Sequence, residues 1–202
     1  MNRIVLVAGA AAVLLLLWSC SDNQPGPISP QLLSKVEQDL DPSLHDALAV
    51  VDSEGNDNFN AHLKGRNETP PNDSHGQGEA LFHINVTHDT ISYKLIVANI
   101  SNVFASHIHV GPAGVAGPVV QPLYSAPPGG GRIQGPIAEG WFTARDLVGP
   151  FAGSTNLDLF IEKLHHDSLY VNVHTNDGIP SSPPGIGNLP AGEIRGQLKS
   201  HF

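Results

Sequence analysis

Three histidines occur in a pattern that suits metal coordination. His107 and His109 are separated by one residue, and side chains alternate between the faces of a β-strand, so a strand here places both imidazoles on one face. His174 ends a second segment of strand character, Tyr170–His174. If the two strands are neighbours, three imidazoles converge, and neutral imidazole is the commonest metal ligand in proteins. Three nitrogen ligands suit copper or zinc.

A purely structural role is the alternative for these residues. Gly111 and Gly114 follow closely, and the imidazoles of His107 and His109 can hydrogen-bond to loop carbonyls beside those glycines. Most of the other histidines are expected on the surface or in turns: His62, His75, His83, His88, His165, His166 and His201.

Motifs for other chemistry are missing from the sequence. No Gly-x-Ser-x-Gly motif indicates a serine hydrolase. The glycine-rich stretch Gly129–Gly135 matches neither dinucleotide-binding nor P-loop spacing. Cys20 is the only cysteine, which excludes an internal disulfide. The motifs therefore do not predict an enzyme.

The N-terminal residues predict export and lipidation. Arg3 precedes an apolar run, Ile4–Leu17, whose length of about 14 residues is short for a membrane span of about 20. The run leads into Leu17-Trp18-Ser19-Cys20, which resembles the lipobox of bacterial lipoproteins, although Trp18 stands where a small residue is usual. The resemblance implies cleavage before Cys20 and its acylation, for example with palmitate. Because Ser21 is not Asp, it also implies an anchor in the outer membrane, facing the periplasm or the cell surface.

Changes in residue pattern divide the chain into four segments. Residues 1–19 form the signal peptide, and the Pro-containing residues 20–30 form a tether. Residues 31–56 are predicted to be a short helical or linker segment, since Leu32, Val36 and Leu40 recur at helical spacing. From residue 57 to 202 apolar residues instead alternate with period two, which predicts one β domain.

The β domain is expected to be an antiparallel, Greek-key-like β-sandwich. Its short strands are separated by loops rich in the 21 glycines and 17 prolines of the chain. The predicted strands are Phe59–Leu63, Ala80–Val86, Ile91–Val97, Ala105–Val110, Val119–Tyr124, Ile133–Ile137, Glu139–Thr143, Leu157–Lys163, Ser168–His174 and Gly192–Lys199.

Charge argues against nucleic acid as a partner. The 202 residues include 10 Lys and Arg against 19 Asp and Glu, for a formal net charge of −9. An acidic chain without a basic patch is poorly matched to a phosphate backbone.

Several segments resemble, in order and spacing, the CHRD domain, which is named after the chordin repeats. They are Phe59–Gly65, Asn67–Pro71, Gly78–Phe82, His107–Pro112, Gly117–Val120, Tyr170–Thr175 and Pro190–Leu198. The motif residues that the resemblance singles out are Glu68, Pro70, Pro71, Gly111, Gly192, Glu193, Arg195 and Gly196.

The residue types suggest local roles for part of this motif. Pro70 and Pro71 cannot donate to a β-ladder, so we expect them to end the first strand. Gly192 suits a tight start of the last strand. Glu193 and Arg195 lie on one face of that strand, where a solvated ion pair is the expected arrangement and a role in fixing the register is the alternative.

The CHRD resemblance also implies a function. Chordin repeats belong to extracellular proteins that bind growth-factor ligands. The expected function is therefore a non-enzymatic binding module of the cell envelope that contacts a protein or a glycan.

A second resemblance supports the metal alternative. The β-sandwich of copper–zinc superoxide dismutase also takes copper ligands from a His-x-His strand and from a later strand. His107, His109 and His174 match those positions in type and order. The sequence lacks the bridging histidine of that family and its cysteine pair. The resemblance implies a mononuclear copper or zinc site at most.

Overall fold

The computed structural model describes residues 58–200. The predicted signal peptide, the Cys20 anchor, the tether, the helical segment and His201 lie outside these residues. Among the described residues, no helix is long and apolar enough to span a bilayer.

The described residues form a β structure in which every strand pairing is antiparallel. The strands are β1 (Asn58–Lys64), β2 (Gln77–Ile84), β3 (Ile91–Ser101), β4 (Val103–Val110), β5 (Val119–Ser125), β6 (Arg132–Phe142), β7 (Leu169–Thr175), β8 (Ile194–Gln197) and β9 (Lys199–Ser200). They lie in one sheet in the order β5-β4-β7-β8-β1-β2-β3-β6, and β9 pairs with β1. The sheet is nearly closed. The Tyr93 hydroxyl of β3 donates to the Leu123 carbonyl of β5 at 3.0 Å. The predicted all-β, antiparallel class is confirmed.

One predicted strand is wrong. Leu157–Lys163 lies almost entirely within an α-helix, α1 (Asp158–His165). Leu157, Leu159 and Ile161 alternate along the sequence, which suggested a strand, but Leu159 is 44% exposed. The buried residues are instead Leu157, Phe160 and Leu164, at helical spacing. Phe160 packs against the rings of Phe142 and Phe151, with centroids 5.4 and 6.1 Å away.

The remaining differences concern strand ends. Ile133–Ile137 and Glu139–Thr143 form the single strand β6, which pairs with β3 at the end of the sheet and therefore tolerates Pro136. Pro70 and Pro71 do not end the first strand, contrary to expectation. β1 ends at Lys64 and a 3-10 turn, Gly65–Asn67, follows it.

Strand β7 is buried on both faces of the sheet. All seven of its residues are buried. Leu169, Val171 and Val173 belong to the apolar core. Tyr170, Asn172 and His174 alternate with them and therefore lie on the opposite face. We call the buried and half-buried groups on this second face the polar layer; its members are His107, His109, Tyr170, Asn172, His174 and Arg195.

Candidate metal centre

Strands β4 and β7 are hydrogen-bonded neighbours, which brings the three predicted histidines together. In their register His107 lies opposite Asn172, His109 opposite Tyr170, and Ala105 opposite His174. His107 and His174 are therefore diagonal neighbours on one face. One nitrogen from each of His107, His109 and His174 lies within 4.8 Å of the other two.

Two backbone carbonyls determine which nitrogens face the cluster. The Nδ1 atoms of His109 and His174 lie 2.8 Å from the Gly117 carbonyl and 2.9 Å from the Pro190 carbonyl. A carbonyl can only accept, so each Nδ1 carries the proton. Each Nε2 of the neutral rings is then unprotonated and able to bind a metal. Nε2 of His109 is buried, and the side chain of Asn172 adjoins the His109 ring.

His107, the third candidate ligand, faces the cluster with Nδ1 instead of Nε2. His107 Nδ1 lies 3.0 Å from His174 Nε2. Because His174 Nε2 is unprotonated, the proton of this hydrogen bond lies on His107 Nδ1. For an ion to bind both nitrogens, the neutral His107 ring would carry its proton on Nε2 instead, which leaves Nδ1 unprotonated. His107 is half-buried, whereas His109 and His174 are 8% and 7% exposed.

The surroundings keep all three imidazoles neutral. Burial, followed by the neighbouring charge of His107, lowers the pKa of His174 to about 4. Burial and His109 lower the pKa of His107, and burial also lowers the pKa of His109. At pH 7 the cluster can therefore bind a metal without first losing an imidazolium proton.

The donor set fits copper or zinc. Metal–nitrogen bonds of about 2.0–2.1 Å place two nitrogens on one ion about 3.3–3.6 Å apart in tetrahedral or trigonal geometry. The 3.0 Å contact between His107 and His174 and the 4.8 Å limit on all pairs bracket this range, so small side-chain movements suffice. Among the described residues no carboxylate or thiol joins the cluster, so its ligands are three neutral nitrogens.

Comparison with known proteins places this site within one domain. The family model of the CHRD domain matches residues 59–198. The chain belongs to the CHRD family. The matched region contains His107, His109 and His174 and every described strand except β9 and the first residue of β1. No curated protein matches the chain significantly.

An aromatic and cationic stack adjoins the histidines of the CHRD domain. The His109 ring stacks on Tyr170, with centroids 4.9 Å apart and planes 11° apart. The guanidinium carbon of Arg195 lies 3.3 Å from the Tyr170 ring centroid. Arg195 is 2% exposed and donates to Thr69 Oγ1 at 3.3 Å and to the Pro112 carbonyl at 3.0 Å. Its charge therefore lies within the polar layer.

The expected solvated ion pair of Glu193 and Arg195 is wrong. Glu193 is fully buried. Its Oε1 accepts from Ser74 Oγ at 2.7 Å, and its Oε2 accepts from Thr175 Oγ1 at 2.5 Å and from the Gly187 N–H at 2.7 Å. Glu193 thus joins two loops to the end of β7. Glu193 and Arg195 are thus both shielded from solvent, at 0% and 2% exposed.

Glu68 is a second buried acid of the CHRD motif. It is 8% exposed, and its Oε1 has no hydrogen-bond partner among the described residues. Burial raises its pKa to about 7, although the charge of Arg195 and a hydrogen bond from the Thr69 backbone act in the opposite direction. Pro70 and Pro71 follow in an exposed loop.

The motif glycines permit close approach. Gly192 has φ of 139°, and a Cβ there would lie 2.6 Å from Glu68 Oε1. A Cβ on Gly196 would lie 2.6 Å from the His62 carbonyl of β1. Gly111 is buried, and its N–H donates to the Ser168 carbonyl at 2.8 Å. The tight start predicted at Gly192 agrees with its conformation.

The sequence did not predict every residue of the site, but the histidines that it placed outside the site do lie away from the cluster. Tyr170 and Asn172 share the alternation of His174, which was the signal that could have placed them on its face. The histidines that are exposed, away from the cluster, are His62, His75, His83, His165 and His166. His88 is half-buried in the turn between β2 and β3.

Proposed function

We propose that this CHRD domain binds one copper or zinc ion through His107 Nδ1, His109 Nε2 and His174 Nε2. The observation that carries the proposal is the convergence of the three imidazoles, each of which places one nitrogen within 4.8 Å of the other two. Two of these nitrogens are the unprotonated Nε2 atoms of His109 and His174, so an ion bound between the rings would meet lone pairs that are already available.

The hydrogen bonds around the ligands support the same assignment. Metal-binding histidines commonly donate their second N–H to a carbonyl or carboxylate, which fixes the ring orientation. His109 and His174 have this arrangement with Gly117 and Pro190. A purely structural histidine would need no second nitrogen facing two other imidazoles. Membership in the CHRD family favours a binding module, and metal binding specifies what it would bind.

Metal content of the purified full chain, extracted in detergent, tests the proposal. After loading with copper or zinc and dialysis, we expect one ion per chain. His109→Ala and His174→Ala should each remove stoichiometric binding, because two remaining nitrogens hold an ion far less tightly. His83→Ala, which removes an exposed histidine of β2, is the matched control and should keep full occupancy. A metal-free wild-type chain after loading, or equal loss in the His83 control, would refute the proposal.

We also propose that the domain is held at the cell envelope by acyl chains on Cys20. The short apolar run and the lipobox-like sequence Leu17–Cys20 support this. Labelled palmitate should be incorporated into the wild-type chain and not into Cys20→Ser. A label that persists in that variant would contradict the anchor.

The predicted protein or glycan partner of the module stays a proposal, and a pull-down from envelope fractions would test it.

A further inference from the structure

The three histidines bring no negative charge to a bound ion. Protein sites for divalent ions often include a carboxylate or thiolate, which offsets the charge of the ion, although zinc is also held by three histidines. Here the cluster found among the described residues consists of three neutral imidazoles. The buried cation beside them is Arg195, whose hydrogen-bond partners Thr69 Oγ1 and the Pro112 carbonyl are neutral. The buried carboxyl of Glu68 also acts on Arg195, but burial raises the pKa of Glu68 to about 7, so it offsets the guanidinium charge only in part at neutral pH.

The cation lies close enough to affect the ion. Its guanidinium carbon is 3.3 Å from the Tyr170 centroid, which is 4.9 Å from the His109 centroid, so it lies within about 8 Å of the His109 ring. An ion on Nε2 would then be no more than about 11 Å from Arg195. Tyr170 and Arg195 are 3% and 2% exposed, so solvent screens the field of the guanidinium only weakly along the path to the His109 ring.

We propose that the three-histidine site selects monovalent copper, Cu(I), over Cu(II) and Zn(II), and that the charge of Arg195 sets part of this preference. This inference rests on the proposed metal-binding function. A uniform repulsion from Arg195 is smaller for an ion of charge +1 than for one of +2. Three neutral nitrogens also complete a trigonal Cu(I) site, whereas zinc held by three protein nitrogens needs a water molecule as its fourth ligand.

Coulomb's law gives the size of the Arg195 contribution. For one additional unit of charge at about 11 Å and an effective dielectric constant of about 20, the repulsion corresponds to about a tenfold change in affinity. Removing the positive charge should therefore lower the ratio of Cu(I) to Cu(II) affinity about tenfold. For a one-electron couple this equals a decrease of about 59 mV in the reduction potential.

Competition with chromophoric chelators of known affinity tests the inference on the detergent-solubilised full chain. Cu(I) is measured anaerobically under reducing conditions, and Cu(II) and Zn(II) are measured separately. The wild-type chain should bind Cu(I) more tightly than either divalent ion. Arg195→Met should decrease the ratio of Cu(I) to Cu(II) affinity about tenfold, whereas Arg195→Lys, which keeps the charge, should stay within about twofold of wild type.

The outcomes separate this inference from the proposed function. If no metal binds, the function itself fails. If the wild-type chain binds Zn(II) or Cu(II) more tightly than Cu(I), the site binds metal but the selectivity is refuted, and this result needs no variant. If Arg195→Met and Arg195→Lys change the ratio equally, Arg195 acts through packing and its electrostatic role is refuted. If Arg195→Met does not fold, the wild-type comparison still decides the selectivity for Cu(I), and Arg195→Lys still tests whether keeping the charge keeps the affinity ratio.

Discussion

Replacing Glu68 with Gln should change how the stability of the domain depends on pH. Glu68 is buried beside Gly192 and has one carboxylate oxygen without a partner among the described residues. Arg195 is the cation that acts on it, but none of the described ion pairs joins the two. Burial therefore dominates and raises the pKa of Glu68 from 4.5 to about 7.

The direction follows from proton binding. Between pH 4.5 and about 7 the folded chain holds a proton on Glu68 that the unfolded chain has released. Stability falls with pH wherever the folded state binds more protons, so this group weakens the fold as pH rises through that window. Below pH 4.5 both states are protonated, and the contribution is constant.

The size of the effect has an upper limit. Each unit of pKa difference corresponds to about 1.4 kcal/mol, so the shift from 4.5 to about 7 removes at most about 3 kcal/mol above pH 7. Glu68→Gln has nearly the same shape and does not ionise. The variant should therefore equal the wild type in stability near pH 4 and exceed it by up to about 3 kcal/mol at pH 8.

Urea unfolding of the chelator-treated full chain at pH 4, 6 and 8, followed by the far-ultraviolet circular dichroism of the sheet, measures the difference. Asp73→Asn, at an exposed acid in the same connection between β1 and β2, is the matched control and should show no comparable pH-dependent gain. A Glu68→Gln variant that is less stable than wild type at pH 8 would refute the reasoning. That result would mean that the ionised carboxylate is stabilised by Arg195 more than burial penalises it.

Two further substitutions test the motif that encloses the polar layer. Gly192→Ala should destabilise the domain by about 2–4 kcal/mol in thermal unfolding, because its Cβ would lie 2.6 Å from Glu68 Oε1 and its φ of 139° disfavours a side chain; a variant as stable as wild type would contradict this geometry. Glu193→Ala should cost about 3–5 kcal/mol in the same assay, since it leaves Ser74 Oγ, Thr175 Oγ1 and the Gly187 N–H without their acceptor. Hydrogen exchange of the Gly187 amide should accelerate in Glu193→Ala, and unchanged protection would show that another group holds this loop.

The architecture was predictable because alternation of apolar residues reports a half-buried strand directly. Ile91, Leu95 and Val97 illustrate this, since all three are buried and are separated by even numbers of residues on β3. Alternation predicts the wrong element at α1, where Leu157, Leu159 and Ile161 also alternate. Apolar residues in this segment fit both patterns: Leu157, Leu159 and Ile161 have the spacing of a strand, and Leu157, Phe160 and Leu164 have the spacing of a helix. Periodicity alone therefore could not choose between strand and helix. The packing of Phe160 against Phe142 and Phe151, which are distant in sequence, decides for the helix.

The cluster of histidines was predictable only in part, for a topological reason. The spacing of His107 and His109 fixes their common face once β4 is a strand. Nothing local, however, specifies that β4 pairs with β7 or in which register. The partners of the rings also come from remote loops, namely the Gly117 and Pro190 carbonyls. Since loop conformation has no comparable period, the tautomers of His109 and His174 could not be deduced beforehand.

The burial of Glu193 and Arg195 escaped prediction because a charged residue on a strand is normally assigned to solvent. A sheet face carrying His107, His109, Asn172 and His174 would ordinarily be exposed to solvent as well.

In this domain the loops cover that face, and they do so through bonds to its polar atoms. Glu193 binds two loops, Arg195 reaches the Pro112 carbonyl, and His174 reaches the Pro190 carbonyl. The charged residues of the motif therefore hold these loops in place, and the loops exclude water from the imidazoles. Low solvation both lowers the pKa of His174 and strengthens the influence of Arg195 on any bound ion. The same burial thus links the stability of the loops to the chemistry proposed for the site.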